Sequence, residues 1–475
     1  MKTKNYSKKI DLYMQANPNL SIQNVGLLLT IEDLYNYTPN KQEIEEFRNI
    51  YSHLNPDIIS STNTTGVKFL DIINLDKSEE KIKRKLNNYI NIKFNHYDNF
   101  KTYDENMIEF EYKSEIISEI LNNILKRTKY PTLIQNFFKE TPKVKKTKDF
   151  YELCQLYKKT SSKRIKFEIL RKIGLIILLS RVDRTFLPNT RDTIIDEVKS
   201  NLIKGLGLNN KKKEKLHFWI NHDNELILTD KLNKHKDKHK ISSLARQKKA
   251  EKISPIQNKT LTNYITNKKT KISHIEYRNK FIKGDKIDYT SVLEKIVRKN
   301  IEYPNQIRDI YGLKLIVENK DDVKKLINEL ENFLGGTSTR KEEKNTINKF
   351  DKKQLGKHSS KDYHVWKAIY DITLPHPNLS YIKELMTLLP QNNQAQKLLQ
   401  EQFNYLNEIP KDYVIEIQIQ DLKSYILNIC EQSSTNHPIL KMNQARTNTF
   451  YKLFPRQIYE KELQNLKLKL LNGVE

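Results

Sequence analysis

The chain is poor in cysteine and glycine and has no long apolar run. Its 475 residues hold 2 cysteines, Cys154 and Cys430, far apart and without metal-type spacing. That excludes a disulfide framework and a cysteine-based zinc module, and it points to a reducing compartment, the cytoplasm. The 11 glycines are few for the many tight turns of a sandwich or barrel, so a helix-rich protein is expected. The most apolar stretch, Ile173-Gly-Leu-Ile-Ile-Leu-Leu179, is flanked by Lys172 and Arg181. It falls well short of the roughly 20 residues a bilayer needs. Met1-Lys-Thr-Lys-Asn-Tyr6 is basic, but no apolar segment follows it directly. Neither a secretion signal nor a membrane span is expected.

What is abundant is charge. There are 84 basic and 58 acidic residues, a net +26, which suits a polyanionic partner. The chain is also saturated with Lys, Asn and Ile, which AT-rich coding alone would produce. Lys far exceeds Arg, whereas specific phosphate forks would favour Arg.

The length allows two to four domains. Residues 1–208 read as a helical region of unknown role. Pro39-Asn-Lys-Gln-Glu-Ile-Glu-Glu-Phe47 opens one helix with acids in its first turn, which suits the helix dipole. Helical patterns follow over 78–92, 114–125 and 166–182, with Pro131 and Pro142 between them. Residues 209–265 read as a basic linker. It carries Lys211-Lys-Lys-Glu-Lys215, Lys231-Leu-Asn-Lys-His-Lys-Asp-Lys-His-Lys240 and Arg246-Gln-Lys-Lys249. Blocks of like charge resist packing, so 231–252 is expected to be mobile. His235 and His239 there are expected to be solvated, not metal-bound.

Chemistry concentrates in residues 266–475. Gln306-Ile-Arg-Asp-Ile-Tyr-Gly-Leu-Lys-Leu-Ile-Val-Glu318 is rich in β-branched and aliphatic residues and reads as a buried strand. Asn319 then caps a helix whose apolar residues, Val323, Leu326, Ile327, Leu330, Phe333 and Leu334, recur at helical spacing. One carboxylate, Asp309, stands at the mouth of the strand. Such a group can hold a hard cation that carries phosphates, or it can cap a turn or pair with Arg308. A second strand, Tyr413-Val-Ile-Glu-Ile-Gln-Ile-Gln420, alternates apolar Ile415, Ile417 and Ile419 with polar Glu416, Gln418 and Gln420. Period two puts those three polar side chains on one face.

Four segments, in this order, resemble the synthetase domain of the RelA/SpoT family, the alarmone (ppGpp and pppGpp) synthetases. Thr290-Ser-Val-Leu-Glu-Lys-Ile-Val-Arg-Lys299 is similar to the family's Ser-Ile-Leu-Glu-Lys-Leu-x-Arg-Lys helix. Arg308-Asp-Ile-Tyr-Gly-Leu-Lys314 is similar to its Asp-x-x-Gly-Ile-Arg strand. Asp362-Tyr-His-Val-Trp-Lys367 is similar to its Gly-Tyr-x-Ser-Leu-His segment. Val414-Ile-Glu-Ile-Gln-Ile-Gln420 is similar to its Val-Glu-Ile-Gln-Ile-Arg strand. A weaker fifth match is His437-Pro-Ile-Leu-Lys441. The resemblance covers roughly residues 270–455.

It implies an α+β protein: a helical N-terminal region, then a mixed-sheet, nucleotidyltransferase-like domain with flanking helices. It implies ATP-dependent transfer of pyrophosphate to the 3′-hydroxyl of GDP or GTP, with Mg2+. Two alternatives stay open: transfer to the 3′ end of tRNA, and a non-catalytic RNA- or ribosome-binding protein on the same scaffold. By this resemblance Asp309 and Glu416 hold the metal, and Glu416 also activates the acceptor hydroxyl. Ser291, Lys295 and Arg298 face ATP, and Lys314 stands where the family usually has Arg. Tyr363 stacks on guanine, and Lys357 and His358 meet acceptor phosphates. Gln418, His437 and Lys441 complete the nucleotide-binding set.

The departures are specific. The family's Arg-x-Lys before the Ser-Ile helix is out of register: counting back from Ser291 puts Asp285 and Ile287 there, with Arg278 and Lys280 further back. Gln420 replaces an Arg, and His364 and Lys367 replace acceptor-segment residues. A helical stretch, at about 375–410, is inserted between strands the family joins closely. Full-length members carry an upstream HD hydrolase domain. His222-Asp223, with His217 nearby, lacks that domain's further ligands, and no hydrolase is expected.

Overall fold

The computed structural model describes residues 14–15, 22–36, 78–93, 100–186, 198, 200, 202–220, 226–229, 257–279, 282–283, 286–301, 304–334, 338–345, 364–374, 379–388, 394–408, 411–429 and 437–471. The fold is α+β and divides into two compact units. One is helical, from residues 1–187, 289–306 and 442–475. The other carries the sheet, from 188–288 and 307–441.

In the helical unit the Tyr103–Arg127 helix starts at Thr102, whose side chain accepts from the Glu105 N–H while Glu105 bonds back. This capping box satisfies two orphan donors. Its buried face carries Phe110, Ile117, Leu121 and Ile124, at helical spacing. The Lys163–Phe186 helix packs against it and buries Ile169, Ile173, Ile176 and Leu179. The buried cations of this unit meet oxygens, as burial demands. Lys172 Nζ donates to the carbonyls of Val144 at 2.8 Å and Thr147 at 2.9 Å. Lys452 Nζ donates to the Val297 and Arg298 carbonyls at 3.2 and 3.1 Å and to Asn300 Oδ1 at 2.8 Å. It thereby closes the end of the Tyr289–Lys299 helix, whose Val292, Leu293, Ile296 and Val297 are buried. No helix among the described residues is long and apolar enough to cross a membrane.

The sheet unit is built on β1 (Asn209–Ile220), β2 (Leu226–Thr229), β3 (Gln257–Ile265), β4 (Lys271–Asn279), β7 (Tyr311–Val317), β8 (Ser338–Asn345), β9 (Trp366–Leu374) and β10 (Lys411–Asp421). A short separate hairpin is formed by β5 (Ile282–Lys283) and β6 (Lys286–Ile287). The main sheet runs in the order β2-β1-β3-β4-β7-β10-β9-β8. The central β7 and β10 are parallel, and the other neighbours are antiparallel. A parallel pair needs a crossover. Here the crossover contains the Lys320–Leu334 helix, which packs on both strands. The chain then returns through β8 and β9. Between β9 and β10 the expected inserted stretch forms two paired helices, Leu379–Leu388 and Gln394–Glu408.

Two expected boundaries need correction. Residues 209–265, expected as linker, contribute β1, β2 and β3 to the sheet. The lysines of 211–215 mask a short period-two signal, Leu216 and Phe218, which pack with Leu261, Ile316 and the helix Leu422–Ile429. Residues 289–306 and 442–475, expected in one domain with the sheet, cluster with the helical unit. Their apolar residues, Val292, Ile296, Phe450 and Tyr459 among them, are matched to helices distant in sequence. The segment 231–252 lies outside the described residues, as do the helix expected from Pro39 and the pair His222-Asp223.

Candidate functional site

The site grows from the register of β7 and β10. Leu313, Leu315 and Val317 continue sideways into Ile417, Ile419 and Asp421, while Gly312, Lys314 and Ile316 lie opposite Glu416, Gln418 and Gln420. The period-two pattern of β10 therefore puts its polar face beside the even-numbered row of β7. Such a pattern fits a strand with one wet face equally well, yet Glu416 is only 8% exposed, Gln418 3% and Gln420 0%. A buried carboxylate and two buried amides need partners. Gln418 Nε2 donates to Glu416 Oε2 at 2.6 Å. Gln420 Nε2 donates to the His364 carbonyl at 3.0 Å and ties the lead-in of β9 to β10. Gln420 thus works as a backbone clamp at a position where the family has a cation.

Asp309 lies in the turn that opens β7 and is half-buried. It stands three residues before Gly312, the partner of Glu416. At about 3.3 Å per residue along the chain and about 4.8 Å between strands, the two α-carbons are within about 15 Å of each other. Among the described residues no three His, Cys, Asp or Glu side chains form a metal set. Two carboxylates suit magnesium, which keeps several waters and takes further oxygens from phosphates.

Lys314, the only half-buried residue of β7, is turned toward β4. Its Nζ lies 3.5 Å from Glu276 Oε2 and 5.4 Å from the centre of the Tyr425 ring. Lys259 Nζ approaches Glu276 Oε1 at 3.8 Å, and the Tyr425 hydroxyl donates to the same oxygen. Burial pushes the Glu276 carboxyl up, but Lys314, the Tyr425 hydroxyl and Lys259 together hold it below the usual carboxylate range. Burial pushes His274 below its usual value, and its Nδ1 accepts from the Thr262 N–H at 3.3 Å.

Sequence reasoning missed Glu276, Tyr425 and Lys259. The available signal was the alternation of His274, Glu276 and Arg278 with Ile275 and Tyr277. The misplaced Arg-x-Lys has a structural explanation as well. The β5–β6 hairpin intervenes between β4 and the Tyr289–Lys299 helix, so counting back from Ser291 lands in the hairpin. On β4, Arg278 is registered opposite Gly312, in the same cross-strand row as Glu416.

The other expected residues divide between the units. Ser291, Lys295 and Arg298 lie on the Tyr289–Lys299 helix of the helical unit. There Arg127 pairs with Glu294 and donates to Ser291 Oγ at 3.4 Å. Burial lowers the Arg298 guanidinium from its usual value, against the pull of Glu294. Lys441 is half-buried on the His437–Gln444 helix, and the side chain of His437, which starts that helix, lies outside the described residues. Lys357, His358 and Tyr363 also lie outside them.

No family model and no curated protein sequence matches the chain. Among solved structures it is similar to small alarmone synthetase 1 from Bacillus subtilis bound to its product pppGpp, at 17% identity over 41% of this chain and 78% of that one, with a TM-score of 0.23. It is similar to a GTP pyrophosphokinase family protein from Streptococcus pneumoniae, at 17% identity over 49% and 89%, TM-score 0.22. For small alarmone synthetase 2 from Bacillus subtilis the values are 15%, 50% and 88%, TM-score 0.23. Superpositions this loose carry no weight for function, which rests on this chain's own residues.

Proposed function

We propose that the sheet unit transfers pyrophosphate from ATP to the 3′-hydroxyl of GDP or GTP, making an alarmone. The observation that carries this reading is the parallel pairing of β7 and β10, which sets Glu416 opposite Gly312 with Asp309 at the mouth of the same strand. The motifs that resemble the RelA/SpoT synthetases support it at those same residues. In this reaction the acceptor 3′ oxygen attacks the β-phosphorus of ATP, AMP leaves with the bridging oxygen, and the hydroxyl proton needs a base. Glu416, buried and bonded by Gln418, is the base. Asp309 and Glu416 are the residues that would hold magnesium, which when bound neutralises charge on the phosphates. Arg278, registered across Gly312 from Glu416, is the candidate cation for the triphosphate in place of the out-of-register pair. Tyr363 is the candidate stacking residue for the acceptor base, because every base offers a π-face.

The test is direct. Purified protein is incubated with γ-labelled ATP and magnesium, with GDP, GTP or bulk tRNA as acceptor. Label moving to GDP or GTP supports the proposal. Label moving only to tRNA gives a different acceptor on the same chemistry, and label that stays on ATP with every acceptor refutes transfer.

A further inference from the structure

We infer that Arg127 is a positioning residue for the phosphates of ATP: it takes up the buried carboxylate of Glu294 and so leaves the Arg298 guanidinium to the nucleotide. The inference rests on the pyrophosphate-transfer reading above, in which ATP is the donor. It gives the helical N-terminal region a part in that reading. Ser291, Lys295 and Arg298 recur at i, i+4 and i+7, so they share one face of the Tyr289–Lys299 helix. Glu294 stands beside that face and is 1% exposed. A carboxylate taken out of water needs a cation. Sequence alone would pair it with Arg298, four residues on, because an acid N-terminal to its base is the favoured helical pair. The structure uses another cation. Arg127 ends the Tyr103–Arg127 helix, 167 residues away in sequence. Its Nη1 pairs with Glu294, and its Nη2 donates to Ser291 Oγ at 3.4 Å.

Arg298 is what this arrangement leaves over. It is half-buried, and burial lowers it from its usual value. Among the described residues no hydrogen bond or ion pair reaches its guanidinium. Nor does it close the helix. Lys452 Nζ already donates to the Val297 and Arg298 carbonyls, the work a cation in the last turn otherwise does. A partly desolvated guanidinium whose nearest acid is engaged elsewhere keeps its donors for an anion, and its planar fork suits a phosphate. Lys295 adds a second positive charge on the same face. With Arg127 gone, Glu294 would stay buried and turn to Arg298, and the phosphate ligand would be tied up on its own helix.

The experiment uses the full chain. ATP binding with magnesium is measured by titration calorimetry, and KM for ATP and for GDP by label transfer. Arg127→Met keeps the stem and removes the charge. It is expected to weaken ATP binding about 10- to 100-fold, the worth of a hydrogen bond to a charged group, with KM for GDP little changed. Adding Glu294→Gln is expected to restore ATP binding, because no carboxylate is left to capture Arg298. A purely structural tie between the helices, absent from both variants, would leave the double variant as weak as the single. Arg298→Met should weaken ATP binding in the wild type and add little in Arg127→Met, since the two act through one contact. Should Arg127→Met fail to fold, with a buried carboxylate left without its cation, Glu294→Gln and the double variant decide. Both are expected to bind ATP as tightly as the wild type. Unchanged ATP binding in Arg127→Met or Arg298→Met, an equal rise in KM for GDP, or weak binding in Glu294→Gln or the double variant each overturns the inference. A wild type that neither binds ATP nor transfers label sinks the parent reading and this inference with it. Wild-type transfer with ATP binding unmoved in Arg127→Met overturns this inference alone.

Discussion

Replacing Glu416 by Gln removes one negative charge and almost nothing else. The side chain is 8% exposed and accepts from Gln418 Nε2 at 2.6 Å. A glutamine in its place can turn its own carbonyl to that donor, so the hydrogen bond persists in neutral form. The difference between a charged and a neutral acceptor is about 1 kcal/mol, too little to unfold a domain, so the melting temperature should fall by no more than a few degrees. Transfer should fall far more. A positioned general base contributes about 10²- to 10⁴-fold, and kcat is expected to drop within that range. Asp309→Asn, with size and shape retained, should drop kcat similarly. If the two carboxylates act as a unit, the double variant should be little worse than either single. The assay is label transfer from γ-labelled ATP, resolved by thin-layer chromatography, with circular dichroism on each variant. Near-normal transfer by either variant would refute the reasoning. So would a ligand-bound structure with the carboxylates more than about 10 Å apart, beyond what ligands at about 2.0–2.1 Å from one magnesium can span.

Three further outcomes concern the framework. Burial pushes Glu109 up, but Lys113 and Lys101, at 2.7 and 2.6 Å, outweigh it and hold the carboxyl at about 2, from 4.5. A depressed carboxylate stabilises above its unfolded value, so about 2 kcal/mol, after discounting for screening, should be lost as pH falls from 4.5 toward 2. Urea midpoints at pH 6 and pH 3 should differ less in Glu109→Gln than in the wild type. Gly207 has φ +55° and an added Cβ would lie 2.0 Å from the Asn267 side chain. Gly207→Ala should therefore destabilise the sheet unit by about 1 kcal/mol or more, read by thermal melting; an unchanged melt would contradict the turn geometry. Lys452→Met strips three oxygens of their donor and should cost about 1–3 kcal/mol, seen as faster amide exchange at the end of the Tyr289–Lys299 helix.

Much of the central architecture is local and so was legible. The apolar run of β7, the alternation of β10 and the helical spacing from Val323 to Leu334 each come from neighbours in sequence, because a strand repeats every two residues and a helix every 3.6. The Tyr289–Lys299 helix announces itself the same way. The candidate carboxylates, Asp309 and Glu416, were legible by residue type and motif. What the sequence leaves open is partnership. Period two says that Glu416, Gln418 and Gln420 share a face, but not whether that face meets water. That it is buried is decided by tertiary packing, with β10 held inside the sheet between β7 and β9. That Lys314 stands beside Glu276 is set by the pairing of β4 with β7. Lysines at 211–215 read as linker until β3 pairs with them. Arg278 is lost to counting because the β5–β6 hairpin lies between it and Ser291. Register and strand order are set by contacts between residues far apart in the chain. No local period encodes them, and the tertiary structure alone decides which charges end side by side.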